Sequence, residues 1–167
     1  RFDGAAELAE KIGDTEKAKE FYEKAIKKYE EDNRFSLAGE IAKKIGDSNR
    51  ANNFYEKQIQ HDEKIGDINN AVYVAKDIMS DIKKTIEILI RNNKFAEAAK
   101  LCEEKNKNVK AVEFYEKAGL FKAAVDLAKK ICNIYKVKEL CKKGIQYYIN
   151  KNNFWYAAEL AEEIDDL

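Results

Sequence analysis

The chain contains no proline and only seven glycines in 167 residues. The two residues that most readily interrupt a helix are therefore scarce, and helices can run wherever the apolar pattern allows. It also has one histidine, His61, which leaves most nucleophile–base pairs without a base. In "QIQHDEK" that histidine reads as a solvated residue near the end of a charged helix, and no enzymatic activity is expected. The three cysteines are an odd number, which argues for a reducing, cytoplasmic setting over a disulfide framework. Cys132 and Cys141 are nine apart, outside zinc-site spacing, and Cys102 falls on a packing position, so neither metal nor cofactor is expected. Charge of one sign is not in excess: 31 basic residues match 31 acidic ones. No global field draws nucleic acid, and no apolar run approaches the roughly 20 residues needed for membrane insertion. The opening "RFDGAAELAE" has neither an initiator Met nor a signal pattern and suggests a piece of a longer protein.

Repetition is what the chain does have. "FYEKA" occurs at 21–25 and again at 114–118, with "FYEKQ" at 54–58. A shift of 33 lays Phe35 on Phe2, Ala42 on Ala9 and the second "IGD" on the first, without a gap. Shifts of 93 and 119 bring "FAEAAKLCEE" and "FKAAVDLAKKI" onto the same opening. Units thus begin at Phe2, Phe35, Ile68, Phe95, Phe121 and Phe154, at spacings of 33, 33, 27, 26 and 33, the range of helical-hairpin solenoids.

Within a unit, Phe2, Ala5, Ala6, Leu8, Ala9 and Ile12 form an i, i+3, i+4, i+7 stripe, the mark of an amphipathic helix. Gly13 supplies a left-handed helix end, and Asp14 or Thr15 an oxygen for the amides of the next helix. Ala18, Phe21, Tyr22, Ala25, Ile26 and Tyr29 make the second stripe. The predicted fold is all-α: one domain over 1–167, a right-handed α-solenoid of about eleven helices, five antiparallel pairs and a last unpaired helix from Phe154. Its packing residues are Phe2, Ala9, Phe21, Tyr22, Phe35, Ala42, Phe54, Tyr55, Phe95, Phe114, Tyr115, Phe121 and Phe154. "FYEKA" recurs because one hairpin cannot bury its own apolar face, and its Glu-Lys side is read as solvated. Unit three is irregular. "IMSD" replaces "IGD" and fits only with a one-residue gap, so a local change in superhelical pitch is expected between about Ile78 and Phe95.

Phe2, Ala5, Ala6, Ala9, Ala18, Tyr22 and Ala25 sit at the intervals of the tetratricopeptide signature, and the chain resembles that family over essentially its whole length. It departs from the signature in three ways. The closing proline is missing (Glu30 in the first unit), Ala9, Ala42 and Ala75 stand where a tyrosine is usual, and two units are shortened. Runs such as "FYEKAGLFKAAVDLAKK" look more like the divergent solenoids of clathrin-type coats, coatomer, ciliary transport subunits and soluble NSF attachment proteins.

The resemblance implies a groove lined by the first helix of each pair. Its expected contacts are Lys43, Lys44, Tyr73, Lys76, Lys100, Lys129, Lys130 and Trp155. A basic centre with Tyr73 as anchor suits an acidic protein or peptide. The carboxylate-clamp activity of chaperone-binding relatives is not expected, because Asp3 and Glu7 occupy the clamp positions. Trp155 points outward beside a core Phe154, against a following helix or a partner. The function expected is a non-catalytic interaction scaffold. The alternatives are an assembly subunit of a coat, trafficking or transport complex, in which copies self-associate, and a regulatory or sensor domain of a larger enzyme.

Overall fold

A computed structural model describes residues 2–165. These residues form an all-α helical repeat of eleven helices, with no strand among them. The helices are α1 (Phe2–Lys11), α2 (Thr15–Glu31), α3 (Phe35–Lys44), α4 (Ser48–Ile65), α5 (Ile68–Tyr73), α6 (Ile82–Arg91), α7 (Phe95–Glu104), α8 (Asn108–Lys117), α9 (Phe121–Lys130), α10 (Ile134–Asn150) and α11 (Phe154–Asp165). The first helix of every pair starts on the residue that opens the sequence unit. The chain gathers into two compact units, Arg1–Ile88 and Leu89–Leu167, with the division inside α6.

Each of the ten connections holds one residue at positive φ: Gly13, Asn33, Gly46, Gly66, Ser80, Asn93, Asn106, Gly119, Cys132 and Asn152. Nine of them close in the same way. An amide just past the left-handed residue bonds the carbonyl five residues back, as in Asp14 N to Ala9 O at 2.9 Å and Arg34 N to Tyr29 O at 2.8 Å. The tenth is one residue wider: Asp81 N reaches Ala75 O at 2.8 Å. It follows a π-helical turn, Val74–Ile78, which extends α5. A π turn accommodates one extra residue in a helix, and this is the one-residue gap of "IMSD". Ser80, at φ 55°, takes the place of Gly46. After the connections, Asp14, Asp47, Asp81 and Asn133 cap α2, α4, α6 and α10 by accepting from the amides of Lys17, Arg50, Lys84 and Lys136.

In the first unit the core is Ile26, Ala38, Ala42, Phe54, Tyr55, Ile59, Ala71, Val74, Ala75 and Ile88, with a smaller cluster of Ala6, Ala9, Ala18 and Tyr22. Small residues on the first helices let the aromatic rings of the second helices come close. At Gly39 a Cβ would stand 2.5 Å from the Tyr55 ring. In the second unit, Ala98, Ala99, Cys102, Tyr115, Phe121, Val125, Ala128, Leu140 and Cys141 are buried likewise.

Ala9, Ala42, Tyr22, Phe54, Tyr55, Phe114, Tyr115 and Phe121 are buried as the repeat requires, and Phe21, Phe35 and Phe95 are half-buried. Two expected packing residues are not. Phe2 is 44% and Phe154 63% exposed, and Leu8 and Ile12 of the first stripe also face outward. The cause lies in the repeat itself. Leu127, equivalent to Leu8, is buried on α9, which packs on α8 of the preceding hairpin, and α1 has no preceding hairpin among the described residues. Among those residues no helix is long and apolar enough to cross a membrane.

Candidate functional site

The repeated phrase does three things in space. Its Phe packs, and its Tyr packs while bonding its own first helix: the Tyr22 hydroxyl donates to Glu10 Oε2 at 2.8 Å, and Tyr115 to Glu103 Oε2 at 2.9 Å. Its Glu reaches the next hairpin. Glu23 accepts from Arg50 at 2.7 Å, Glu56 from Lys84, and Glu116 from Lys143 at 2.6 Å and Lys136 at 2.9 Å. The Glu-Lys side is therefore not simply solvated, because second helices of successive hairpins lie close enough for 27- and 28-residue offsets to pair. Burial opposes ionisation of Glu116, yet the hydrogen bonds from Lys143 and Lys136 hold its carboxyl below the usual range.

Between α3 and α5 the first unit has an open cleft of about 370 Å³, lined by Ser36, Leu37, Glu40, Gln58, Asn70, Tyr73 and Ile78 with Asn33 and Arg34. A polar lattice lies at its base. Asp62 of α4 is buried and accepts from Gln58 Nε2 at 2.8 Å and Asn70 Nδ2 at 2.7 Å. Gln58 Oε1 in turn accepts from the Ser36 amide at 3.1 Å. Two of these bonds cross between helices, Ser36 to Gln58 and Asn70 to Asp62, and they tie α3, α4 and α5 together while leaving the outer cleft open. Buried polar groups specify a geometry when their partners are complete.

His61 is half-buried, its side chain 36% exposed. Its ring meets Phe35 edge-on at 6.2 Å, and its Nδ1 is buried without a hydrogen-bond partner, 3.7 Å from Asp62 Oδ1. The reason is the tight spacing of α3 on α4, which brings Phe35 over the end of the longer helix.

Of the expected groove residues, the structure brings Tyr73 to this cleft. Lys43 and Lys76 extend the same faces of α3 and of the π turn, exposed and, among the described residues, without an acidic partner. Lys44 is otherwise engaged: its ammonium lies 3.2 Å from Glu7, 3.6 Å from Glu10 and 5.0 Å from the centre of the Tyr22 ring. The Tyr22 hydroxyl and these carboxylates hold Lys44 above the usual lysine range despite partial burial. In the second unit a cleft of about 260 Å³ is lined by Glu103, Tyr115, Ala123, Asp126, Leu127 and Lys130. Lys100 is exposed nearby on α7, while Lys129 pairs with Glu163, and Lys122 with Glu159 at 3.1 Å and Glu163 at 2.7 Å. The basic centre is thus reduced, because acidic residues on neighbouring first helices reach Lys44 and Lys129. Trp155 is 69% exposed and meets Tyr156 edge-on at 4.7 Å. Cys102 and Cys141 are buried, which pushes both thiols up, and Cys132 is exposed.

Asp62, Gln58 and Asn70 were not among the sequence candidates, yet a signal was present. Asp62 stands where the repeat has Tyr29 and Tyr148, and Gln58 is the letter by which "FYEKQ" departs from "FYEKA". Comparison with protein-family models and with curated proteins gives no match for this chain.

Proposed function

We propose that the chain is a non-catalytic interaction scaffold that binds a peptide or helix along its first helices, with the α3–α5 cleft as the principal seat. Tyr73 carries this reading. It is 53% exposed on the rim of a cleft whose base is hydrogen-bonded shut. An aromatic side chain held on a rigid, polar floor resembles the anchors that dominate protein interfaces. Lys43 and Lys76 beside it favour an acidic segment, and a preformed cleft spares the ordering cost of binding. The likeness to tetratricopeptide hairpins supports the same mode, and three unpaired thiols suit the cytoplasm.

The test is fluorescence anisotropy with a panel of labelled acidic and basic peptides against the parent chain, Tyr73→Ala, and the pair Lys43→Glu with Lys76→Glu. Acidic peptides should bind the parent, at least about tenfold more weakly the Tyr73 variant, and the charge-reversed pair least. Equal binding to parent and Tyr73→Ala would remove the cleft from consideration. Lys44 is left unchanged in this test because it holds α3 to α1.

A further inference from the structure

The repeat is its own control for the tips of the hairpins, where the first helix of a pair turns into the second. In units one, two and three, Asp14, Asp47 and Asp81 cap the second helix, and Glu16, Asn49 and Lys83 follow two residues later. Those positions are polar throughout. Units four and five depart from this at the same places. Lys107 stands where the capping aspartate would be on α8, Val109 and Tyr135 both stand in place of Glu16, and Ile134 replaces Thr15. All three apolar side chains are exposed, Val109 65%, Ile134 46% and Tyr135 91%. A ring so open touches almost nothing of its own chain, so packing does not account for it.

Charge shifts at the same tips. Lys105, Lys107, Lys110 and Lys138 are exposed and, among the described residues, in no ion pair. Glu104 is the one acidic residue from 104 to 110, and there is none from 129 to 138. The chain as a whole is balanced, so this excess is local. Helices α8 and α10 both pack on α9, and Glu116 of α8 joins Lys143 of α10 at 2.6 Å and Lys136 at 2.9 Å. Their first turns therefore share one edge of the second unit. Neighbouring hairpins pack along the sides of their helices, as α8 does on α9, so a further repeat at either end of the array would leave this edge as it is.

A cleft that binds a peptide encloses its anchor, as the α3–α5 cleft borders Tyr73 on one side. Tyr135 instead stands clear of its surroundings, with aliphatic neighbours and a ring of lysines. That combination suits a broad anionic surface with an apolar layer beneath it.

We infer that Val109, Ile134 and Tyr135, flanked by Lys105, Lys107, Lys110 and Lys138, dock the chain on an anionic phospholipid surface. The apolar tips enter the boundary between headgroups and acyl chains, and the ammonium groups stay at the phosphates. The contact is peripheral and calls for no spanning helix. It lies in the second unit and stands without the α3–α5 cleft.

The probe is vesicles of phosphatidylcholine, alone or with about 30% phosphatidylserine, cosedimented with the whole chain. Binding should be at least about tenfold stronger with phosphatidylserine and should weaken as salt rises. Lys107→Glu with Lys110→Glu should reduce it at least about 25-fold, since each lysine near such a surface contributes about fivefold. Val109→Glu with Tyr135→Glu, which gives both tips the residue of unit one, should reduce it at least about tenfold. The same charge change at the tip of unit one, Lys11→Glu with Lys19→Glu, should reduce it less than about threefold. All these positions are exposed, and circular dichroism verifies each fold. Tyr135→Trp in a Trp155→Phe chain gives a local readout, an emission that shifts to the blue on phosphatidylserine vesicles. The inference is overturned if the chain binds both kinds of vesicle alike or neither, or if the unit-one pair weakens binding as much as Lys107→Glu with Lys110→Glu. It is equally overturned if an acidic peptide shifts that emission and the vesicles do not, since the partner is then a protein.

Discussion

Replacing Gly39 by alanine sets two effects of opposite sign against each other. Alanine is favoured over glycine inside a helix by about 1 kcal/mol. At Gly39, however, the new methyl would stand 2.5, 2.9 and 3.0 Å from three atoms of the Tyr55 ring. Tyr55 is 3% exposed within the core of the first unit, so the ring cannot turn aside without moving Ile59, Ala51 and their neighbours. Overpacking of this kind costs about 1–3 kcal/mol. The net expectation is a loss of up to about 2 kcal/mol, and a fall in Tm of about 2–4 °C for each kcal/mol lost. Gly4 is the control. It lies in α1 with nothing within 4 Å of its Cβ direction, so Gly4→Ala should stabilise by about 0.5–1 kcal/mol. Urea unfolding followed by far-ultraviolet circular dichroism measures both. Adding Tyr55→Leu to Gly39→Ala should return part of the loss through a favourable coupling energy. If both alanine variants stabilise alike, the close approach of α3 and α4 through Gly39 is wrong, and with it the account of why the first helices carry small residues.

Cys132 holds φ 57°, a conformation that side chains other than Gly, Asn and Asp adopt at a cost. Cys132→Asn, matching the residue used at four other connections, should raise stability by about 0.5–1 kcal/mol in the same urea assay. Burial and the hydrogen bond to Glu103 push the Tyr115 hydroxyl up to about 12, and Tyr22 is raised by burial as well. The neutral phenol is favoured in the folded chain, so this stability is complete below pH 10 and is lost as pH rises from 10 towards 12. Stability measured across that window should fall less steeply in Tyr115→Phe. Lys44→Glu should cost about 1 kcal/mol by unpairing Glu7 and Glu10, whereas Lys43→Glu breaks no ion pair and should not lower thermal stability.

The helix starts were legible because Phe or Ile opens each unit at a fixed distance from a turn residue, and a turn with Gly or Asn at φ > 0 has local causes. The π turn left a trace as a one-residue gap, though the sequence could not say that the extra residue enters the end of α5 and not the loop. Less legible was which charges stay free. Lys43 and Lys44 are neighbours in sequence on the same stripe, and only the placement of α1 against α3 separates the one facing water from the one between Glu7 and Glu10. The partial burial of His61 was hidden for a similar reason, because the ring of Phe35 that meets it arrives from another helix.

The tyrosine of "FYEKA" gives the most economical account of where this repeat can accept a partner. Where a glutamate meets that tyrosine, as at Glu10 and Glu103, the hairpin is closed on itself. In unit two, Lys43 occupies the glutamate position, so Tyr55 has no such acceptor and the lysine is left exposed on the α3 face that continues the cleft. The internal bond of the repeat is made in units one and four, is lost in unit two through a changed acceptor, and has no donor in units three and five, where Leu89 and Cys141 stand at the tyrosine position. A solenoid whose modules satisfy one another offers external ligands only the valences its own repeat leaves open. A single substitution, Lys43→Glu, should close unit two on itself by giving Tyr55 its acceptor, and so reduce acidic-peptide binding at the α3–α5 cleft.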